Sequence, residues 1–171
     1  MGVNAWIIWQ AVEDEVENFV NLNVGDSYGQ PWNPPGSWGL IHAAYSTTTD
    51  TEGRTFTKEQ YHISKQYYVM QQFSKFIKPG YTIIDANHDQ VIAALGPDGK
   101  LVIVAANFND TPAKFAMDIG KFDGLGSAAH AYRTSDTLAG ERIEDVLLDG
   151  GSLMNVELPA RSLTTYVVDN A

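Results

Sequence analysis

Glu13, Asp14, Glu15 and Glu17 are the first residues in the chain with the means to do chemistry, and they follow directly on the apolar run from Ala5 to Val12. Carboxylates at the C-terminal end of a buried parallel strand stand where α/β enzymes place their reacting groups. Hydrolysis of a sugar linkage with retention needs two carboxyl groups about 5 Å apart on opposite sides of one bond, usually supplied by separate strands. Neighbouring acids on one segment point different ways, so Glu13 and Glu15 do not make such a pair between them. A solvated acidic loop is the better account of the run.

Asp85, Asn87 and Asp89 open like a calcium loop, with oxygen ligands at alternate positions. The pattern then fails, because Gln90 stands where the sharp turn needs glycine and Gly96 stands where a bidentate glutamate is needed. A strand-to-strand turn explains the three residues. The four histidines, His42, His62, His88 and His130, show no close ligand spacing along the chain, and ordinary hydrogen bonding is expected of each. No metal or cofactor is expected. There is no GxSxG elbow and no phosphate-binding glycine loop, and the sequon Asn109-Asp-Thr111 is followed by Pro112.

The elements that would position these groups divide the chain at about residue 80. Ala5 to Val12 is apolar on both faces, which suits a parallel strand covered on both sides. The stretch that follows is rich in glycine and proline and carries Trp32 and Trp38. A long loop of this composition is either a binding loop or one held by its own aromatics. Trp38 to Tyr45 is a further extended segment or a helical turn, and Ser46 to Gly53 a polar connector. Thr57 with Gln60 fits a capping box, with Phe56 and Tyr61 as its hydrophobic staple. Ile63, Tyr67, Met70, Phe73 and Ile77 recur at helical spacing, widened by Val69 and Phe76, so one helix is expected from Thr57 to about Ile77. Its apolar face should be buried.

Beyond Gly80 the pattern changes to short strands at 81–85, 90–95, 100–108, 113–119, 128–134, 142–147, 153–158 and 162–168. Phe115, Met117 and Ile119 alternate with polar or small neighbours, as do Met154, Val156 and Leu158. Period two with one buried face, punctuated by Pro97-Asp-Gly99 and Asp149-Gly-Gly-Ser152, points to an antiparallel sandwich.

Composition narrows the partners. The 171 residues carry a net charge of −10 with 44% hydrophobic residues, and the absence of a Lys/Arg cluster argues against nucleic acid. The apolar start is too short to span a bilayer and lacks the flanks of a signal, so no membrane association is expected. With no cysteine, neither disulfides nor thiolate metal sites can form.

Three strings together resemble a known family. They are Trp6-Ile-Ile-Trp9-Gln10 before the acids, Tyr68-Val-Met-Gln-Gln-Phe73-Ser-Lys-Phe-Ile-Lys-Pro-Gly80, and Pro159-Ala-Arg-Ser162-Leu-Thr-Thr-Tyr-Val-Val168 at the end of a small β domain. This order is similar to the C-terminal part of glycoside hydrolase family thirty, with the endo-β-1,6-galactanase branch nearest and the glucuronoxylanases and glucosylceramidases beside it. The resemblance implies an α+β fragment: the last βα unit of a (β/α)8 barrel over residues 1–80, then an antiparallel β-sandwich over 81–171. It implies that Trp9, with Gln10 beside it, lines a sugar subsite, where an aromatic face meets sugar C–H groups. Trp32 and Trp38 join them as substrate-binding candidates from the loop. The family's two catalytic glutamates end its fourth and seventh strands, so neither has a counterpart in these residues. The expected partner is a polysaccharide or oligosaccharide, the expected setting extracellular, and the isolated chain should not hydrolyse. An uncovered strand predicts self-association or a complementing barrel segment. An autonomous carbohydrate-binding module, or a small glycosidase completed by oligomerisation, stands as the alternative.

Overall fold

A computed structural model describes residues 11–14, 39–43, 47–49, 55–56 and 61–171. They fall into two compact units, Met1–Tyr67 and Tyr68–Ala171.

In the first unit, β1 (Val12–Asp14), β2 (Ile41–Ala43) and β5 (Tyr61–Ile63) form a three-stranded sheet in the order β1-β2-β5, and β3 (Thr48–Thr49) pairs with β4 (Thr55–Phe56). β1 runs parallel to β2, which runs antiparallel to β5. The extended alternative for Trp38 to Tyr45 is therefore realised at 41–43. Residues 5–10 of the expected strand lie outside the described residues. β1 carries on through Glu13 and Asp14, because β2 offers a backbone partner there.

The helix α1 (Lys65–Ser74) is shorter than its periodicity suggests. Tyr61–Ile63, expected to be helical, pairs with β2 instead; aromatic and β-branched residues are as content in a strand, and a partner strand decides the matter. Phe56, the expected staple residue, lies in β4, and Thr57 and Gln60 lie outside the described residues. The working cap is Ser64, which is buried. Its carbonyl accepts from Tyr67 N–H (3.1 Å) and its N–H donates to Leu40 O (3.0 Å). Its hydroxyl donates towards the Gly39 and Leu40 carbonyls. At the other end, Lys75 and Ile77 N–H still bond four residues back, Lys78 Nζ reaches Ser74 O, and Gly80 turns the chain at φ +95°.

The expected apolar stripe is only half-buried, and Val69 is exposed. The one fully buried helix residue is the polar Gln72. Gly140, at φ +74°, takes a conformation that L side chains rarely adopt, and the end of the Gln71 side chain lies against it.

The second unit is mostly antiparallel sheet. β6 (Thr82–Ile84), β7 (Val91–Leu95), β8 (Leu101–Asn107), β10 (Leu125–Thr134), β11 (Ala139–Arg142) and β14 (Ser162–Asn170) lie in the order β11-β10-β14-β8-β7-β6, and β12 (Val146–Leu147) also pairs with β10. A single strand expected at 142–147 is thus two, broken where Ile143 N–H bonds Ala131 O. β9 (Ala113–Asp118) and β13 (Leu153–Leu158) form a separate two-stranded sheet.

Register explains the core. Leu95, Leu101, Val168 and Ala129 are cross-strand partners in one row, and Ala93, Ile103, Tyr166 and Ala131 in another. Residues two apart along a strand share a face, so these rows look the same way. All of them but Leu95 cluster with Met154, Leu158, Phe115 and Met117 from the two-stranded sheet. The alternating residues expected to face the core do turn inward: Ile119, Met154 and Leu158 are buried, and Phe115, Met117 and Val156 are half-buried. The opposite face of the large sheet carries Val104, Thr165 and Tyr132 in one row, and α1 meets it there, with the Phe76 and Tyr132 rings 4.6 Å apart.

Candidate functional site

β1, β2 and β5 contribute three residues each, and their register makes three rows: Val12, Ile41 and Ile63; Glu13, His42 and His62; Asp14, Ala43 and Tyr61. Glu13 and Asp14 thus belong to a strand and not to the acidic loop expected of them. The middle row pairs the backbones of Glu13, His42 and His62, which come from three distant stretches of chain. Spacing along the sequence could not reveal this, because each ligand-type residue comes from a different strand.

The register is anchored beside the row. Ile41 N–H bonds Ala11 O at 2.9 Å, and Ser64 bonds back to Gly39 and Leu40. The substrate-binding candidates Trp9, Gln10, Trp32 and Trp38, and the acids Glu15 and Glu17, lie outside the described residues.

The second unit holds a different cluster, around His130 on β10. Its Nδ1 is 2.9 Å from Asp145 Oδ2 and its Nε2 is 3.3 Å from Asp169 Oδ2. Arg142 Nη2 lies 3.0 Å from Asp145 Oδ1 and Lys100 Nζ 3.1 Å from Asp169 Oδ1. The ring thus lies between two carboxylates, each also paired with a cation, and Arg142 Nη2 lies 3.0 Å from the same Nδ1. Every member is partly exposed, and the cluster acts as a charged clasp between β10, β14 and the turn after β11.

The hydrogen bond from Arg142 holds the Asp145 carboxyl below its ordinary range, and the bond from Arg161 does the same for Asp110. A depressed folded value contributes stability above the unfolded pKa, and this is lost as pH falls through the folded value. Thermal stability is accordingly expected to hold from neutrality to about pH 5 and to decline below about pH 4. In Asp145→Asn the acid decline should be shallower, and a decline identical to wild type in melts taken between pH 2.5 and 7 would remove the clasp from the account. On the alkaline side, burial pushes Tyr166 up, and its buried hydroxyl has no hydrogen-bond partner among the described residues. Its contribution is present below the unfolded value and lost as pH rises through the folded one.

The Asp85–Asp89 stretch is a turn. Asp85 Oδ1 accepts from Asn87 N–H at 2.8 Å, and Asn87 takes φ +50°. Among residues whose side chains are described, no three His, Asp or Glu are placed to share a metal ion. An open cleft of about 390 Å³ lies over β9 and β13, lined by Lys114, Phe115, Ala116, Asn155, Val156 and Glu157.

No family model matches the chain. Glucuronoxylanase XynC of Bacillus subtilis (strain 168) is 35% identical over 118 residues, which cover 66% of this chain and 27% of the relative. Among solved structures, a GH30 endoxylanase from Clostridium papyrosolvens C71 superposes with a TM-score of 0.55 at 32% identity, over 64% of this chain and 28% of that one. The glycoside hydrolase family 30 subfamily 8 xylanase Xyn30A from Clostridium acetobutylicum does so with a TM-score of 0.55 at 28% identity, over 77% and 31%. The chain thus spans about three tenths of the length of these relatives. Over roughly two thirds of its residues, this chain is a relative of glycoside hydrolase family 30.

Proposed function

We propose that these residues form the C-terminal part of a family 30 polysaccharide hydrolase: a last barrel strand and helix, a substrate-side loop and a β-sandwich. In this reading Trp9, Gln10, Trp32 and Trp38 supply a sugar subsite, and the catalytic glutamates belong to strands of the family barrel that these residues do not include. The observation that carries it is the 35% identity with a glucuronoxylanase over 118 residues. It is supported by the helix docked on an antiparallel sheet whose core face packs on a second, smaller sheet. The xylanase relatives make glucuronoxylan the first substrate to test and β-1,6-galactan the second. The setting is extracellular, and a complementing barrel segment or a second copy covers the apolar strand.

The 171-residue chain should release no reducing sugar from either polysaccharide above the blank, yet should give saturable heat with xylo- or galacto-oligosaccharides, weakened by Trp9→Ala. Sedimentation of the same sample reports self-association. Turnover at ordinary enzyme rates, abolished by Glu13→Gln with Glu15→Gln, would overturn the reading, as would an absence of heat with every oligosaccharide tried.

A further inference from the structure

We propose that the cleft over β9 and β13 is a second carbohydrate site, which takes an uncharged stretch of an oligosaccharide against Lys114, Ala116, Asn155 and Glu157. This rests on the reading of the chain as part of a polysaccharide hydrolase. The cleft holds about 390 Å³, within the roughly 300–1,000 Å³ of small-molecule sites. Its shape follows from period two. Phe115, Met117, Met154, Val156 and Leu158 pack on the core cluster, so Lys114, Ala116, Asn155 and Glu157 point the other way and are exposed. The strand register sets Lys114 opposite Glu157 and Ala116 opposite Asn155. Ala116 carries only a methyl group, and this leaves room between three longer polar side chains that line the same cleft.

The chemistry of the lining selects the ligand. Lys114 Nζ lies 4.0 Å from Glu157 Oε2, too far for a hydrogen bond. The ammonium thus keeps donors, and the carboxylate acceptors, for a bound molecule. Asn155 Nδ2 donates to Asp149 Oδ2 at 2.8 Å, which fixes the amide and leaves its Oδ1 as a further acceptor. Donors and acceptors set side by side suit the neighbouring hydroxyls of a sugar ring, each of which both donates and accepts. The lining holds one cation and one anion, and the chain as a whole carries −10. An uncharged polyol therefore fits where a phosphate or a polyanion would be repelled by the whole molecule. Half-buried Phe115 and Val156 add apolar atoms to the lining for the sugar's C–H groups. Met154 and Leu158 are fully buried, so the polar groups stand on a strand anchored in the core, where a site keeps its geometry better than on a loop.

The test is titration of the full 15N-labelled chain with xylohexaose, and separately with β-1,6-galactotetraose, followed by NMR at the amides of residues 114–116 and 155–157. Saturable shifts at these amides are expected with at least one of the two sugars at millimolar concentration. Ala116→Leu, which fills the space between the polar groups, and Glu157→Ala, which removes the main acceptor, should each weaken binding there by about 10-fold or more, the cost of roughly one good hydrogen bond to a charged group. Both positions are exposed, and the spectrum of each variant reports its folding directly. Heat of binding that depends on Trp9, with no saturable shift at the cleft amides, overturns this inference and leaves the proposed function standing. Cleft shifts that persist in Trp9→Ala support the inference and count against the Trp9 subsite. The absence of both heat and shifts overturns the two together. Shifts of unchanged affinity in Ala116→Leu and Glu157→Ala overturn the cleft as the place of binding.

Discussion

Gln72→Ala is expected to destabilise the second unit by about 3–5 kcal/mol, combining a cavity with abandoned hydrogen-bond partners. Gln72 is 1% exposed and sits on the helix face that meets the sheet. In the amide orientation that satisfies both ends, its nitrogen donates to Thr165 Oγ1 and to Tyr132 O, and its oxygen accepts from Thr134 N–H and Thr134 Oγ1. The two threonines also serve the helix backbone. Thr165 Oγ1 lies 2.8 Å from Gln72 O, a carbonyl passed over because Phe76 N–H turns to Phe73 O, and Thr134 Oγ1, 3.1 Å from Tyr68 O, shares its one hydrogen between that carbonyl and Gln72. Thr134 and Thr165 are themselves buried, so water cannot replace what is lost. Gln72→Met keeps the volume and isolates the polar part, for which about 2–3 kcal/mol is expected. Urea denaturation measures both, and a loss below 1 kcal/mol in Gln72→Ala would mean that the helix is held to the sheet by its half-buried aromatics instead.

This network shows where the sequence could be read and where it could not. Period two in Phe115, Met117 and Ile119, and in Met154, Val156 and Leu158, identifies β9 and β13 with their buried faces, because one side of each strand meets a core and the other meets water. The turns at Pro97-Asp98-Gly99 and Asp149-Gly150-Gly151 were legible for the same kind of reason: φ is +81° at Gly99, +60° at Gly150 and +75° at Gly151, values glycine adopts without strain. The start of α1 was not legible. Thr57, Gln60, Phe56 and Tyr61 satisfy every local rule for a cap, but Tyr61 to Ile63 had a long-range alternative in β2, and tertiary pairing outranks local propensity. Gln72 was invisible because hydrophobic periodicity can mark only an apolar face. The row of Glu13, His42 and His62 was hidden more deeply, since no spacing rule reaches across three strands whose register is set elsewhere. Trp9, Gln10, Trp32 and Trp38 stand on the resemblance and on loop composition.

Asn107 makes the same kind of anchor at the end of β8, and Asn107→Ala is expected to lose about 2–4 kcal/mol. It is 1% exposed at the end of β8. Its Nδ2 donates to Thr111 O at 2.8 Å and to Pro159 O at 2.9 Å, with Leu158 O at 3.2 Å, while Oδ1 accepts from Asn109 N–H and Asn109 Nδ2 at 3.1 Å. One side chain thereby ties the β8–β9 loop to the β13–β14 turn. That turn is demanding: Arg161 takes φ +46°, its N–H bonds Asn109 O at 3.0 Å and its guanidinium pairs with Asp110. Asn107→Asp separates shape from chemistry. A carboxylate of the same size cannot donate to Thr111 and Pro159, and it would place a buried negative charge against three carbonyl oxygens, so it should be worse than alanine at pH 7 and should recover as the acid protonates. Denaturation at pH 7 and pH 4.5, with hydrogen exchange at Asn109 and Arg161 amides, checks both points. Asp tolerated as well as Asn at pH 7 would show that the donated bonds do not hold the loop, and that the exposed Phe108 beside it is positioned by the backbone alone.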